Sequence, residues 1–170
     1  EDRPQLFPHY RRSSEWGDRD SELNSAEAPK HFFSKKKWRE VYGMVPRIVN
    51  FTSALSLPRP SRIQNLTFND LLAGKNAVIA DQAGSGKTLA YLLPLLERYV
   101  FSAGDGEHTP NSVKLIVIAP TSDLAVQINN VARAISNRCG HRFRADCFTG
   151  GRAVATQTAK LRGGLDLLIA

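Results

Sequence analysis

The sequence predicts an α/β fold, a doubly wound parallel sheet, on three observations. Short, almost continuously apolar runs recur at "NAVIA" (76–80), "KLIVIA" (114–119), "RADCF" (144–148) and "DLLIA" (166–170). Segments with helical spacing separate them, and a glycine-rich turn, "AGSGKT" (83–88), joins the first run to the first of those helices. Strands that are apolar on both sides are covered on both faces, and alternation with helices implies parallel pairing.

Each helical segment carries its own signal. "KTLAYLLPLLERYVF" predicts a helix from Lys87 to about Phe101. "SDLAVQINNVARAISNR" sets Leu124, Ile128, Val131 and Ile135 on one face, and Ala153–Leu161 predicts a further helix. Upstream, "VPRIVNFTSALSL" places Val45, Ile48, Val49, Thr52 and Leu55 at helical spacing before Pro58 and Pro60. "RIQNLTFNDLLAG" does the same with Ile63, Leu66, Leu71 and Leu72, and Gly74 supplies its stop. A polar loop, "AGDGEHTPNS", separates the first two βα units.

Residues 1–32 mix both charge signs with Pro, Ser and Gly, show no apolar period, and are expected to be a disordered extension. Residues 33–170 are expected to form the folded part, and "KKK" at 35–37 reads as a solvated patch. The sequence begins with Glu and breaks off inside "LLIA", so it is expected to be a piece of a longer protein. The formal net charge is +7, and residues 1–45 hold nine cationic against eight anionic side chains. The surplus therefore lies in the folded part and suits a polyanionic partner. Cys139 and Cys147 make neither a disulfide framework nor a metal-ligand spacing, which points to a reducing, intracellular compartment. No apolar run is long enough for a membrane span, so no membrane association is expected.

The turn carries the first chemistry. Gly84 and Gly86 let successive N–H groups of Asp81, Gln82, Ala83, Gly84, Ser85 and Gly86 curl inward, and the helix that follows adds its positive end. In such a loop Lys87 reaches the outer phosphates and the Thr88 hydroxyl ligates Mg²⁺. The standard pattern has Gly or Ala where this chain has Asp81, and an acid there opposes phosphate unless it points away.

"RPSRIQ" (59–64), "DQAGSGKT" (81–88), "APTSDLA" (119–125), "TGG" (149–151) and "LRGGLDLLIA" (161–170) occur in an order and spacing that resembles a DEAD-box ATP-dependent RNA helicase. The resemblance covers Trp38 to Ala170 and implies the first, RecA-like domain of such an enzyme. The wording of "RPxxIQ" and "DQxGSGKTLAY" is similar to a plant-type branch with organellar members, which leaves plastid or another organelle, nucleus and cytoplasm open.

The resemblance implies that ATP and Mg²⁺ are the cofactors and RNA the partner. It implies that Gln64 reads adenine through its carboxamide, with the Ser61 hydroxyl beside it and Trp38 as the stacking aromatic. Arg62 and Ser56 replace the family's usual Pro and Gly. It further implies RNA-backbone contacts at Pro120, Thr121 and Ser122 and at Gly150, Gly151 and Arg152. Ser122 stands where the family has Arg, and Arg152 is the nearby substitute. The Asp-Glu-Ala-Asp segment, the Ser-Ala-Thr segment and the second RecA-like domain of the same chain are expected beyond Ala170, so this piece, expected to be monomeric, is not expected to turn over ATP. The alternatives are another P-loop ATPase, such as a DNA helicase or transport ATPase, and a non-enzymatic RNA-binding relative.

Overall fold

A computed structural model describes residues 32–42, 45–54, 57, 59–102, 112–139 and 143–170. The expected disordered extension, apart from Phe32, lies outside these residues, as do Leu55, Ser56, Pro58 and the expected polar loop up to residue 111. The elements are α1 (Trp38–Tyr42), α2 (Pro46–Ala54), α3 (Arg62–Leu72), α4 (Lys87–Leu96), β1 (Leu115–Val117), α5 (Ser122–Arg138), β2 (Ala145–Cys147), α6 (Val154–Arg162) and β3 (Leu167–Ile169).

The three strands are parallel in the order β1-β3-β2, with Leu115 and Ala145 both in register with Leu167. The connection through α5 moves two places across the sheet, and the one through α6 moves one place back. With right-handed crossovers, opposite directions put α5 and α6 on opposite faces, which is the doubly wound arrangement. Leu167, Ile169 and Cys147 share one core with Ile128, Ala132 and Ile135 of α5. The inner stripe of α5 starts from Ala125, which is 1% exposed, and Leu124 of the expected stripe is 36% exposed. One residue turns a helix by roughly 100°, so the first turn faces the sheet through the smaller side chain.

α6 has no buried residue. It is tied down by the Asp146 carboxylate, which lies 2.5 Å from Lys160 Nζ and 3.6 Å from an Arg133 guanidinium nitrogen of α5. Asp146 Oδ1 also accepts the Cys147 N–H at 2.9 Å. One edge-strand carboxylate thus links both layers of helix.

The expected strand at 76–80 is not formed among the described residues. Val78 is 97% exposed. A strand exists only through a backbone ladder, and none of the three described strands pairs with this segment. Apolar composition favours burial but provides no hydrogen-bonding partner.

Six of the ten residues of α4 are buried, with Leu92, Leu93 and Leu96 at 1% exposure or less. Burying each such side chain contributes about 1.5–3 kcal/mol. Pro94 lies inside it and has no N–H for the Ala90 carbonyl. The Thr67 hydroxyl of α3, 2.9 Å from the Ile63 carbonyl and 3.4 Å from that of Ala90, shares its proton between them. The expected helix end near Phe101 is reached through a π turn over Glu97–Phe101. At the other end of α3, Gly74 takes φ 79°, the left-handed stop expected of it.

Candidate nucleotide-binding site

The site is assembled where the N-termini of α3 and α4 meet. Ser61 caps α3 reciprocally: its Oγ accepts the Gln64 N–H at 3.4 Å, and its own N–H donates to Gln64 Oε1 at 2.8 Å. Gln64 Nε2 then donates to the Gly86 carbonyl at 3.2 Å. Ser61 is 1% and Gln64 3% exposed. Gly86 is the N-cap of α4 at φ 89°, and a Cβ there would lie 2.5 Å from Gln64 Nε2. Both its conformation and its neighbour require glycine.

A carboxamide carries donor and acceptor groups side by side. That is the complement of an adenine edge, and it lies against the last glycine of the phosphate turn. The chain before α1 runs antiparallel beside this corner, with Arg62 N–H on the Phe32 carbonyl and Ser34 N–H on that of Pro60, both at 2.9 Å. Phe32 and Phe33, half-buried and packed edge to face at 4.9 Å, are therefore site neighbours that sequence reading did not single out. Trp38, the expected stacking aromatic, belongs to the core: it is 6% exposed and its indole N–H donates to the Leu57 carbonyl at 3.0 Å.

The turn itself has the properties of an anion cradle. Gly84 and Gly86 both adopt positive φ, and α4 has no side-chain cap, so its first N–H groups have no intrahelical acceptor. Ser85 Oγ is buried without a partner. Lys87 Nζ folds back over the turn and donates to the carbonyls of Asp81 at 2.7 Å and Gln82 at 2.6 Å. Asp81 does not point away from the turn: its Oδ1 accepts the Gln82 N–H at 2.8 Å. Burial pushes the Tyr91 phenol above its ordinary pKa, and a hydrogen bond with the Thr88 hydroxyl offsets part of the rise. Tyr91 follows Thr88 by three residues on one helix, a spacing that makes neighbours and could have identified it.

These residues fit a nucleoside triphosphate with its divalent cation. The orphaned Ser85 hydroxyl, the free N–H groups and Lys87 would hold phosphate oxygens. Thr88 would supply a hydroxyl to Mg²⁺. Among the described residues no cluster of three or more His, Cys, Asp or Glu could hold a metal by itself, and no helix is long and apolar enough to cross a membrane.

A second group of expected residues gathers at the carboxyl ends of the strands. Pro120, Thr121 and Ser122 follow β1, are exposed, and start α5, whose N-cap Thr121 accepts the Leu124 N–H at 3.3 Å. Gly150, Gly151 and Arg152 follow β2, with Gly151 at φ 81°. Nothing lies within 4 Å of a Cβ built on either glycine, so this backbone is open to close approach. Gln157 of α6 steadies the turn by donating to the Arg152 carbonyl at 3.1 Å, a role sequence reading missed. The two groups flank β3, which puts them two strand spacings apart, about 10 Å.

A family model described as DEAD/DEAH box helicase matches residues 61–170. The chain is 35% identical over 167 residues to DEAD-box ATP-dependent RNA helicase 50 of Oryza sativa subsp. japonica, a match covering 93% of this chain and 26% of that protein. It is 36% identical over 164 residues to the helicase of the same name from Arabidopsis thaliana, covering 95% of this chain and 20% of that protein. ATP-dependent RNA helicase DBP7 of Coccidioides immitis is 35% identical over 140 residues, covering 75% of this chain and 18% of that protein. Among solved structures, the ADP-bound RNA helicase Prp28 of Chaetomium thermophilum superposes with TM-score 0.65 and 25% identity over 86% of this chain and 34% of that one. A hypothetical ATP-dependent RNA helicase from Sulfolobus tokodaii superposes with TM-score 0.60 and 26% identity, over 75% of this chain and 34% of that one.

Proposed function

The chain belongs to the DEAD/DEAH box helicase family, and from that premise we propose that it is the ATP-binding part of an ATP-dependent RNA helicase. It spans 26% and 20% of the two plant relatives' lengths, so strand separation and turnover are proposed for the whole protein. The observation that carries the reading is the Gln64 carboxamide seated on the Gly86 carbonyl, which joins a base-reading group to a phosphate turn.

In this reading the Gln64 carboxamide presents a donor and an acceptor to the adenine edge, which favours ATP over GTP. The N–H groups of the turn and Lys87 receive the phosphates, and Lys87 leaves the carbonyls of Asp81 and Gln82 to do so. Thr88 places its hydroxyl toward the metal, with Tyr91 as its hydrogen-bond partner. Mg²⁺, when bound, would neutralise part of the phosphate charge. Pro120–Ser122 and Gly150–Arg152 hold the backbone of an RNA strand, positioning it without reading its bases.

Calorimetric titration of the chain with ATP and GTP, each with MgCl₂, tests the reading. ATP binding that is lost in Lys87→Ala and is preferred over GTP supports it. Equal binding of both nucleotides, or binding untouched by Lys87→Ala, refutes it.

A further inference from the structure

We propose that Asp81 makes the phosphate turn selective for metal-complexed nucleotide by repelling the metal-free polyphosphate. The inference rests on the nucleotide reading above and adds a specificity-determining residue to it.

A phosphate cradle works by converging N–H donors and positive charge on one point. Asp81 subtracts from both. Its Oδ1 takes the Gln82 N–H at 2.8 Å, which removes one donor from the turn. Its carboxylate puts a full negative charge on the residue whose own carbonyl receives the Lys87 ammonium at 2.7 Å. Asp81 and Gln82 are both exposed, so the carboxylate faces the same solvent from which a phosphate arrives. The charge that meets an incoming triphosphate is therefore lower than glycines and Lys87 alone would provide.

Repulsion of this kind scales with the ligand's charge. A divalent cation halves the charge of a triphosphate, so the complexed nucleotide meets a much smaller penalty than the free one. The carboxylate also lies in water rather than in the core, and the effect is screened by salt over a Debye length of about 10 Å at 0.1 M.

The test titrates the full chain with ATP in excess MgCl₂ and in EDTA, at low and high KCl, as wild type, Asp81→Asn and Asp81→Ala. Asp81→Asn keeps the acceptor for the Gln82 N–H and removes only the charge. We expect it to tighten metal-free ATP by about tenfold and the magnesium complex by about threefold or less, with the difference shrinking at high KCl. Asp81→Ala also frees the Gln82 N–H and should tighten both forms further. An unchanged ratio of the two affinities in Asp81→Asn overturns the inference and leaves the nucleotide site standing. Weaker binding of the magnesium complex alone also overturns it, because the carboxylate would then be a contact on the metal side. Failure of the wild type to bind ATP under any condition removes the nucleotide reading itself, and the inference falls with it.

Discussion

Gln64 and Gly86 are 22 residues apart and joined by one 3.2 Å hydrogen bond from the carboxamide nitrogen to the glycine carbonyl. The same carboxamide closes the capping box of α3 through the Ser61 N–H at 2.8 Å. A change in α3 is therefore felt at the start of α4.

Replacing Gln64 should act on stability and selectivity together. Gln64→Ala removes half of the capping box and the bond to Gly86, at a cost of about 1–2 kcal/mol. Preference for ATP over GTP should fall about 5- to 150-fold, the worth of one bidentate base contact. Gln64→Glu keeps the acceptor for Ser61 N–H but sets a buried carboxylate oxygen against the Gly86 carbonyl, so it should lose both stability and selectivity. Urea unfolding and nucleotide competition measure the two effects.

Gly86→Ala should be worse than an ordinary glycine substitution. The left-handed backbone costs about 1–2 kcal/mol for a residue with a side chain, and the new methyl meets Gln64 Nε2 at 2.5 Å. Combining it with Gln64→Ala removes the collision and leaves the backbone strain. A double-mutant cycle should give a favourable coupling of about 1 kcal/mol or more. Additive losses would mean that the collision is relieved elsewhere.

Ser122 offers a hydroxyl but no charge at the exposed start of α5. Ser122→Arg should add a charge-assisted phosphate contact and steepen the log–log salt dependence of RNA affinity by about 0.7. Binding of one RNA over a KCl series, repeated with an unrelated RNA, should show the same increment for both. If neither affinity nor slope changes, the same substitution in an Arg152→Ala background shows whether Arg152 already serves that phosphate.

Asp146 should matter for stability and not for the nucleotide. Its two cations, Lys160 and Arg133, are 41% and 57% exposed, which discounts the ion pairs. Asp146→Asn keeps the bond to Cys147 N–H and, by weakening the two ion pairs, should cost about 1 kcal/mol. Asp146→Ala also loses that bond and should cost about 2 kcal/mol. Denaturant melts give the losses, and ATP titration should give the wild-type affinity at a temperature where both variants are folded.

The sequence by itself determined the helices Arg62–Leu72 and Ser122–Arg138, the three strands that pair, and the glycine turn before α4, because each rests on local signals: apolar period, caps and glycines at positions of positive φ. Tertiary structure decided what those signals leave open. It left 76–80 without a ladder, because pairing needs a neighbour that composition does not provide. It drew Trp38 into the core, because an indole gains more from burial with its N–H satisfied by the Leu57 carbonyl than from exposure. It brought Gln64 onto Gly86 and turned the Asp81 carboxylate onto its own turn, contacts set by how α3 and α4 pack and by local loop geometry that spacing along the chain does not encode.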